Sequence, residues 1–218
     1  MRAHPARNEP TEETAPRRRL RPVERRRQIV DAAVQLLHTT GPGRVSLRDI
    51  AAAAGVSIGT VTYHFAKVDD IIDLALAQEV TEYYQRLHER IVAEPDPCVA
   101  LRLLADACFT EETAQHWRLW FETLGRGDTE AELRAQRERY AQWAGTIQTL
   151  VESGVASGAF RCSDIPEAVS LIVALVDGLS LRQVRGQPAT SFLYARRYFR
   201  DAVSNILALP SEENAKFQ

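Results

Sequence analysis

Residues 46–65 hold two amphipathic runs, each about two turns long, that must stop and restart within three residues. Ser46-Leu-Arg-Asp49 is a capping box, in which a hydroxyl and a carboxylate three residues apart satisfy each other's backbone amides. It leads into Leu47, Ile50, Ala51 and Ala54, spaced i, i+3, i+4, i+7. Gly55 ends that run and Ser57 caps a second one over 58–65. The alanines at 51–54 let a second helix approach closely, and Val56 with Val61 supplies a small shared core. Two short helices joined by a tight glycine-bearing turn form a helix-turn-helix. An ordinary helical hairpin would meet the same spacing, but it has no need of the Arg-rich segment in front or of Tyr63-His-Phe-x-Lys67 behind.

The rest of the chain keeps the helical period. Ile29, Val30, Ala33, Leu36 and Leu37 line one face of a run that starts near Glu24 and stops at Gly41-Pro42. A long run over 68–93 carries Ile71, Leu74, Ala75, Val80, Tyr83, Tyr84, Leu87 and Ile91 on its apolar side, and Pro95 and Pro97 end it. Further runs cover 99–109, 113–124, 128–153 with Asp128 as its cap, 166–185 and 191–209. Gly125-Arg-Gly127, a loop around Gly154 and Gly158, and Gly186-Gln-Pro188 separate them. No window alternates with period two, so the expected fold class is all-α, with about nine helices. Residues 1–16 are polar, carry three prolines and read as disordered. The expected division is a basic tail at 1–20, a helix-turn-helix domain at 21–67 and a larger helical domain at 68–218.

The net charge of −2 argues at first against a nucleic-acid partner. Charge is unevenly spread, however: residues 17–67 hold ten basic and three acidic side chains, while 71–218 hold 15 basic and 21 acidic. Such asymmetry puts a basic surface toward a polyanion at one end only. Arg17, Arg18, Arg19, Arg21, Arg25, Arg26 and Arg27 could enter a minor groove or track phosphates, or form a solvated basic tail. Arg25 and Arg26 begin a helix and are the better placed. In the second short helix Ser57, Gly59, Thr60 and Thr62 are small and polar, which lets backbone enter a major groove about 12 Å wide. Tyr63, His64 and Lys67 can donate to phosphate oxygens. Candidate DNA contacts are therefore Arg25, Arg26, Ser46, Arg48, Ser57, Gly59, Thr60, Thr62, Tyr63, His64 and Lys67.

At these positions the chain resembles the TetR family of transcriptional regulators. The resemblance spans about 25–77 and rests on Ile29-Val-Asp-Ala-Ala33, Ser46-Leu-Arg-Asp-Ile-Ala51, Ala54-Gly-Val-Ser57, Gly59, Tyr63-His-Phe65 and Asp69-Asp-Ile71. It departs from the family at Thr62, where Tyr is usual, and at Lys67, one position early. Thr62 together with Leu175-Val-Asp-Gly-Leu-Ser-Leu181 is similar to the betaine-operon repressor subgroup. The resemblance implies a three-helix DNA-binding domain, a six-helix ligand-binding and dimerisation domain, and repression of a palindromic operator relieved by a small molecule. The competing class is an all-helical carrier or enzyme whose basic N-terminus is incidental.

All 16 aromatic residues lie at position 63 or later. Trp117, Trp120, Phe121 and Leu124 share one helix face; Tyr140, Trp143 and Ile147 share another. Such stripes are core first, but clustered aromatics can also wall an apolar cavity. The resemblance places a pocket among these helices and the long 68–93 helix, giving Tyr83, Tyr84, Leu87, Leu104, Cys108, Trp117, Trp120, Phe121, Leu124, Tyr140, Trp143, Ile147 and Asp177 as candidates. Asp177 interrupts an apolar run, so it needs a structural hydrogen bond or a cationic ligand held together with nearby rings. The run 168–181 is apolar nearly all round and must be covered on two sides. A two-fold partner would cover Val169, Ile172, Val173, Val176, Leu179, Phe192, Phe199, Val203 and Ile206.

Other chemistry is sparse. His38, His64, His88 and His116 lack metal-ligand spacing, and neither a phosphate loop nor a Gly-x-Ser-x-Gly elbow is present. No catalytic residue, metal or cofactor is expected. The longest apolar stretch, 171–176, is far below the ~20 residues of a membrane span. No leader with an apolar centre is visible, and Cys98, Cys108 and Cys162 suit a reduced cytoplasmic chain.

Overall fold

The computed structural model describes residues 20–125, 129–186 and 191–217. Among them are ten α-helices, one 3-10 turn at Pro42–Arg44 and no strand. The helices are α1 (Pro22–Thr40), α2 (Leu47–Ala53), α3 (Ile58–His64), α4 (Val68–Ala93), α5 (Pro97–Cys108), α6 (Thr113–Leu124), α7 (Glu130–Ala156), α8 (Ile165–Val184), α9 (Phe192–Ile206) and α10 (Ser211–Phe217).

Side chains that accept from free amides set the helix starts. The Ser46 hydroxyl accepts from the Asp49 amide at 3.3 Å and the Asp49 carboxylate accepts from the Ser46 amide at 3.0 Å. Ser57 caps α3 through the Thr60 amide at 3.1 Å, and Asp70 takes the Lys67 amide at 3.1 Å to open α4. Asp96 caps α5 and Asp164 caps α8. The cap of α7 is Thr129, whose hydroxyl accepts from the Glu132 amide; the expected Asp128 cap lies outside the described residues. So do the expected disordered tail up to residue 19, Arg17–Arg19, and the 187–188 part of the last break. Gly55 makes the α2–α3 turn at φ +63, in the left-handed region that favours glycine.

The run expected as one helix over 191–209 divides into α9 and an unforeseen α10. Pro210 precedes the new helix, and Phe217 at its end is fully buried beneath Arg200, 6.0 Å from the ring centroid.

Two cores result. Ile29, Ala33, Leu37, Ile50, Val61, Phe65, Ile71 and Leu76 belong to the first, together with Leu119 from α6. The second gathers buried residues from α4 through α10, including all three tryptophans. Helix α4 runs from one to the other, with Ile71–Leu76 in the first core and Val80–Ile91 in the second.

The α8–α9 seam needs a correction. Val169, Ile172, Val173, Val176 and Leu179, and likewise Phe199 and Val203, are buried within the chain's own core, so a partner cannot be what covers them. Phe192 and Ile206 are half-buried. The outward stripe on α8 is Leu171, Ala174, Gly178 and Leu181; on α9 it is Leu193, Tyr194 and Tyr198.

Gly154 on α7 faces Phe160, and a methyl group at that position would run into the Phe160 ring. Gly154→Ala is expected to lower the unfolding free energy by about 1–3 kcal/mol in urea titrations. Gly145→Ala on the same helix meets nothing within 4 Å and should be neutral or stabilising by up to ~1 kcal/mol.

Candidate DNA-binding face and ligand pocket

Helix α3 presents one continuous polar face. Val61 points inward and is fully buried, while Ser57, Gly59, Thr62 and Tyr63 are exposed, Tyr63 by 82%. Thr60 is half-buried, its hydroxyl 2.9 Å from that of Ser57. Ser46, Arg48 and Lys67 are exposed around this face, and His64 is half-buried against Tyr63 with ring centroids 5.1 Å apart. Ile58, unselected from the sequence, is 45% exposed on the same helix and offers an apolar contact of the kind a thymine methyl takes. Its sequence signal was an apolar residue standing alone in a hydroxyl-rich run.

The two arginines expected on DNA are engaged within the chain. Arg26 donates to the His64 carbonyl at 2.7 Å and lies over the Phe65 ring at 3.9 Å, clamping α1 to the end of α3. Arg25 donates to Gln28 at 2.7 Å, and Gln28 donates to the Ala54 carbonyl at 2.8 Å. These contacts position the recognition helix, and Arg26 still keeps part of its surface exposed.

The aromatic cluster sits in the second core. Tyr84 stacks on Trp143 at 4.9 Å and meets Trp120 edge-on at 5.5 Å; Tyr140 stacks on Trp120 at 6.0 Å. The Tyr140 hydroxyl donates to Asp177 at 2.6 Å. Burial holds the Asp177 carboxyl above the ordinary carboxylate range, against the pull of that bond. Its other oxygen, Oδ1, has no hydrogen-bond partner. The Tyr84 hydroxyl, Trp120 Nε1, Trp143 Nε1, the Ser180 hydroxyl and both ring nitrogens of His116 are buried without partners as well. Groups of this kind each cost about 1–3 kcal/mol unless a water or a ligand supplies the missing bond.

Leu87, Leu104, Cys108, Trp117 and Ile147 are fully covered here, and Trp117 Nε1 is satisfied by the Cys108 carbonyl at 2.7 Å. Phe121 is half-buried. Leu124 is 48% exposed at the surface end of α6 and cannot wall the cluster. Tyr83 donates to the Ala107 carbonyl at 2.7 Å and stacks on His116 at 3.5 Å. On its outer side Tyr83 and Leu87 border a cavity of about 370 Å³ with Arg86, Arg90, Asp106, Ala107, Thr110 and Thr113. His116 and Ser180 escaped the sequence reading, because a lone histidine shows its isolation only when its neighbours are known. The usable signal was the i, i+4 pairing of His116 with Trp120.

Comparison with known proteins bears directly on this architecture. Residues 29–74 match the model described as bacterial regulatory proteins of the tetR family, and residues 97–208 match that of the BetI-type transcriptional repressor C-terminal domain. The chain belongs to the TetR family. Among its relatives, the regulator LuxR of Vibrio harveyi is 31% identical over 110 residues, covering 49% of this chain and 53% of LuxR. The regulator BetI of Paraburkholderia phytofirmans is 26% identical over 188 residues, covering 84% of this chain and 94% of BetI. Among solved structures, a transcriptional regulator from Saccharomonospora viridis in complex with choline superposes with a TM-score of 0.73 at 26% identity, over 84% of this chain and 96% of that one.

This TetR-family chain also gathers Asp96, Cys98 and Glu213, whose ligand atoms lie within 4.8 Å of one another. The Lys216 ammonium pairs with two of them, 2.9 Å from Glu213 and 3.4 Å from Asp96. Burial pushes the Cys98 thiol up to about 12, so it stays protonated and donates to Glu213 at 3.3 Å. No helix among the described residues is long and apolar enough to cross a membrane.

Burial also lowers the His116 pKa to about 3. A histidine kept neutral when folded, with an unfolded value near 6.5, contributes stability that is present above pH 6.5 and lost on acidification below it. His116→Phe should therefore remove up to about 1.4 kcal/mol per pH unit of the acid sensitivity of unfolding between pH 6 and 5, measured against wild type.

Proposed function

We propose that this TetR-family regulator is a homodimeric repressor of a palindromic operator, released by a small organic cation, and that it is not an enzyme. Residues 21–67 would form the DNA-binding domain and 68–218 the effector and dimer domain. The observation that carries the effector class is the unpartnered Oδ1 of Asp177, a carboxylate joined through Tyr140 to the ring cluster of Trp120, Tyr84 and Trp143. A carboxylate attracts a cation, ring faces add cation–π attraction, and the unpartnered indole and hydroxyl donors suit an oxygen on the same ligand. Choline bound to the Saccharomonospora viridis regulator has that chemistry. It is the natural first probe.

The dimer seam would be the exposed stripe of Leu171, Ala174, Gly178 and Leu181 with Leu193, Tyr194 and Tyr198. Two-fold symmetry would then set the two α3 helices one DNA turn apart, ~34–36 Å. With DNA as its partner, the protein would act in the cytoplasm beside the chromosome.

Two experiments test this reading. Selection of bound duplexes from a randomised library should yield a palindrome, and Thr60→Ala or Tyr63→Ala should weaken that duplex by about 1–3 kcal/mol with unchanged helical content. Wild-type binding in both variants would move the DNA face elsewhere. Calorimetry with choline should show one site per protomer that Asp177→Asn weakens by about 2–5 kcal/mol while duplex affinity holds. Equal choline affinity in the variant would remove Asp177 from the site.

A further inference from the structure

Consecutive residues of α7 face two different spaces. Tyr140 turns toward Trp120 and Asp177, while Arg139, one residue earlier and about 100° around the helix, turns toward α4. There it borders a cavity of about 360 Å³ with Leu74, Leu76 and Ala77 of α4, Thr123 of α6 and Ala135 of α7. That volume falls within the roughly 300–1,000 Å³ of small-molecule pockets. None of the residues bordering it belongs to the aromatic cluster, so the two spaces share no wall.

The polar groups around this cavity are paired, with one exception. The Thr123 hydroxyl donates to the Trp120 carbonyl and the Thr123 carbonyl accepts from Gln136 Nε2, both at 2.7 Å. Asp70 takes the Lys67 amide, Glu132 takes the Thr129 amide and hydroxyl, and Asp73 is engaged within the chain. Asp70 and Glu132 also stand exposed, where water and salt screen them from a bound anion. Arg26, the other cation at the edge, holds the His64 carbonyl. Arg139 is the exception. It is half-buried, its Nε–H is covered without a partner, and its guanidinium makes no ion pair among the described residues. Burial holds its pKa below the usual guanidinium value, against the pull of neighbouring Glu138.

A guanidinium partly out of water is matched best by a carboxylate, which accepts from two of its N–H groups at once. Next to it the wall is aliphatic, and the aliphatic surface runs on: Arg26, Leu74 and Ala77 also border a second cavity with Val23 and Val30 of α1. We infer that the cavity beside Arg139 binds an amphipathic carboxylate, a medium-chain aliphatic acid whose head pairs with Arg139 and whose tail lies on Leu74, Leu76, Ala77 and Ala135. This is a second ligand site, opposite in charge preference to the cluster around Asp177, and it stands whether or not that cluster takes a cation.

The test uses two probes with one tail and opposite heads, sodium octanoate and octylammonium chloride, titrated into the full chain by calorimetry. Octanoate is expected to bind one site per protomer, and octylammonium at least about tenfold more weakly, the difference a charge-assisted hydrogen bond makes. Arg139→Gln should weaken octanoate by a similar factor while melting as wild type. Ala135→Phe, which fills the cavity and leaves Arg139 in place, should weaken it as well. In wild type the Arg139 Nε–H resonance, identified by its loss in Arg139→Gln, should shift on adding octanoate. Saturating choline should leave octanoate affinity unchanged. No octanoate binding to wild type overturns the inference, as does unchanged octanoate affinity in either variant. Tighter binding of octylammonium overturns it by handing the site to the carboxylates, and competition by choline does so by placing octanoate in the aromatic cluster. Should choline itself fail to bind while Arg139→Gln behaves as expected, the effector class proposed for the cluster is wrong and the carboxylate site stands.

Discussion

The insertion of Leu119 from α6 into the N-terminal core is the contact on which the rest of the molecule depends. Short helices such as α2 and α3 have too little apolar face to stand alone and persist because tertiary packing holds them. Their core is closed by α1, by the start of α4, and by this one side chain from the larger bundle. The DNA-facing unit is therefore not an independent bead on a tether. Its orientation is set by α4 along its length and by α6 from the side.

The polar groups of the aromatic cluster obey the same rule of burial. A core assembled only for stability would not leave a carboxylate oxygen, two indole nitrogens, two hydroxyls and a histidine ring without partners. Each costs about 1–3 kcal/mol unless something supplies its bond, and we propose that an effector does so here. Tyr140 fixes one oxygen of Asp177 and so aims the other.

Much of this was legible in the sequence wherever the deciding chemistry is local. The capping residues Ser46 and Ser57, the turn at Gly55 and the period-3.6 stripes involve neighbours within a turn or two, and they fall where periodicity puts them. What escaped depends on distant partners. Arg26 reads only as a candidate DNA contact, and its hold on the His64 carbonyl, 38 residues away, is visible only in the fold. The α8 stripe of Val169 to Leu179 reads as a dimer seam because periodicity marks an apolar face without saying which neighbour covers it. Helix α10 was missed for want of an apolar stripe, since a single Phe217 and polar bonds such as Ser204 to Asn214 dock it. Family membership was carried by the capping box and the Tyr63-His-Phe65 motif, which are local as well.

We propose that the Asp177 cluster and the α3 face are energetically linked, and the reciprocity of binding tests that linkage. Binding linkage requires an effector that weakens DNA by some factor to be weakened by DNA by the same factor. Choline affinity should be measured by calorimetry for the free protein and for the protein saturated with its selected duplex. Choline binding is expected to be weaker in the complex, by the same ratio that choline imposes on duplex affinity. Equal choline affinity in the free and DNA-bound protein would contradict it.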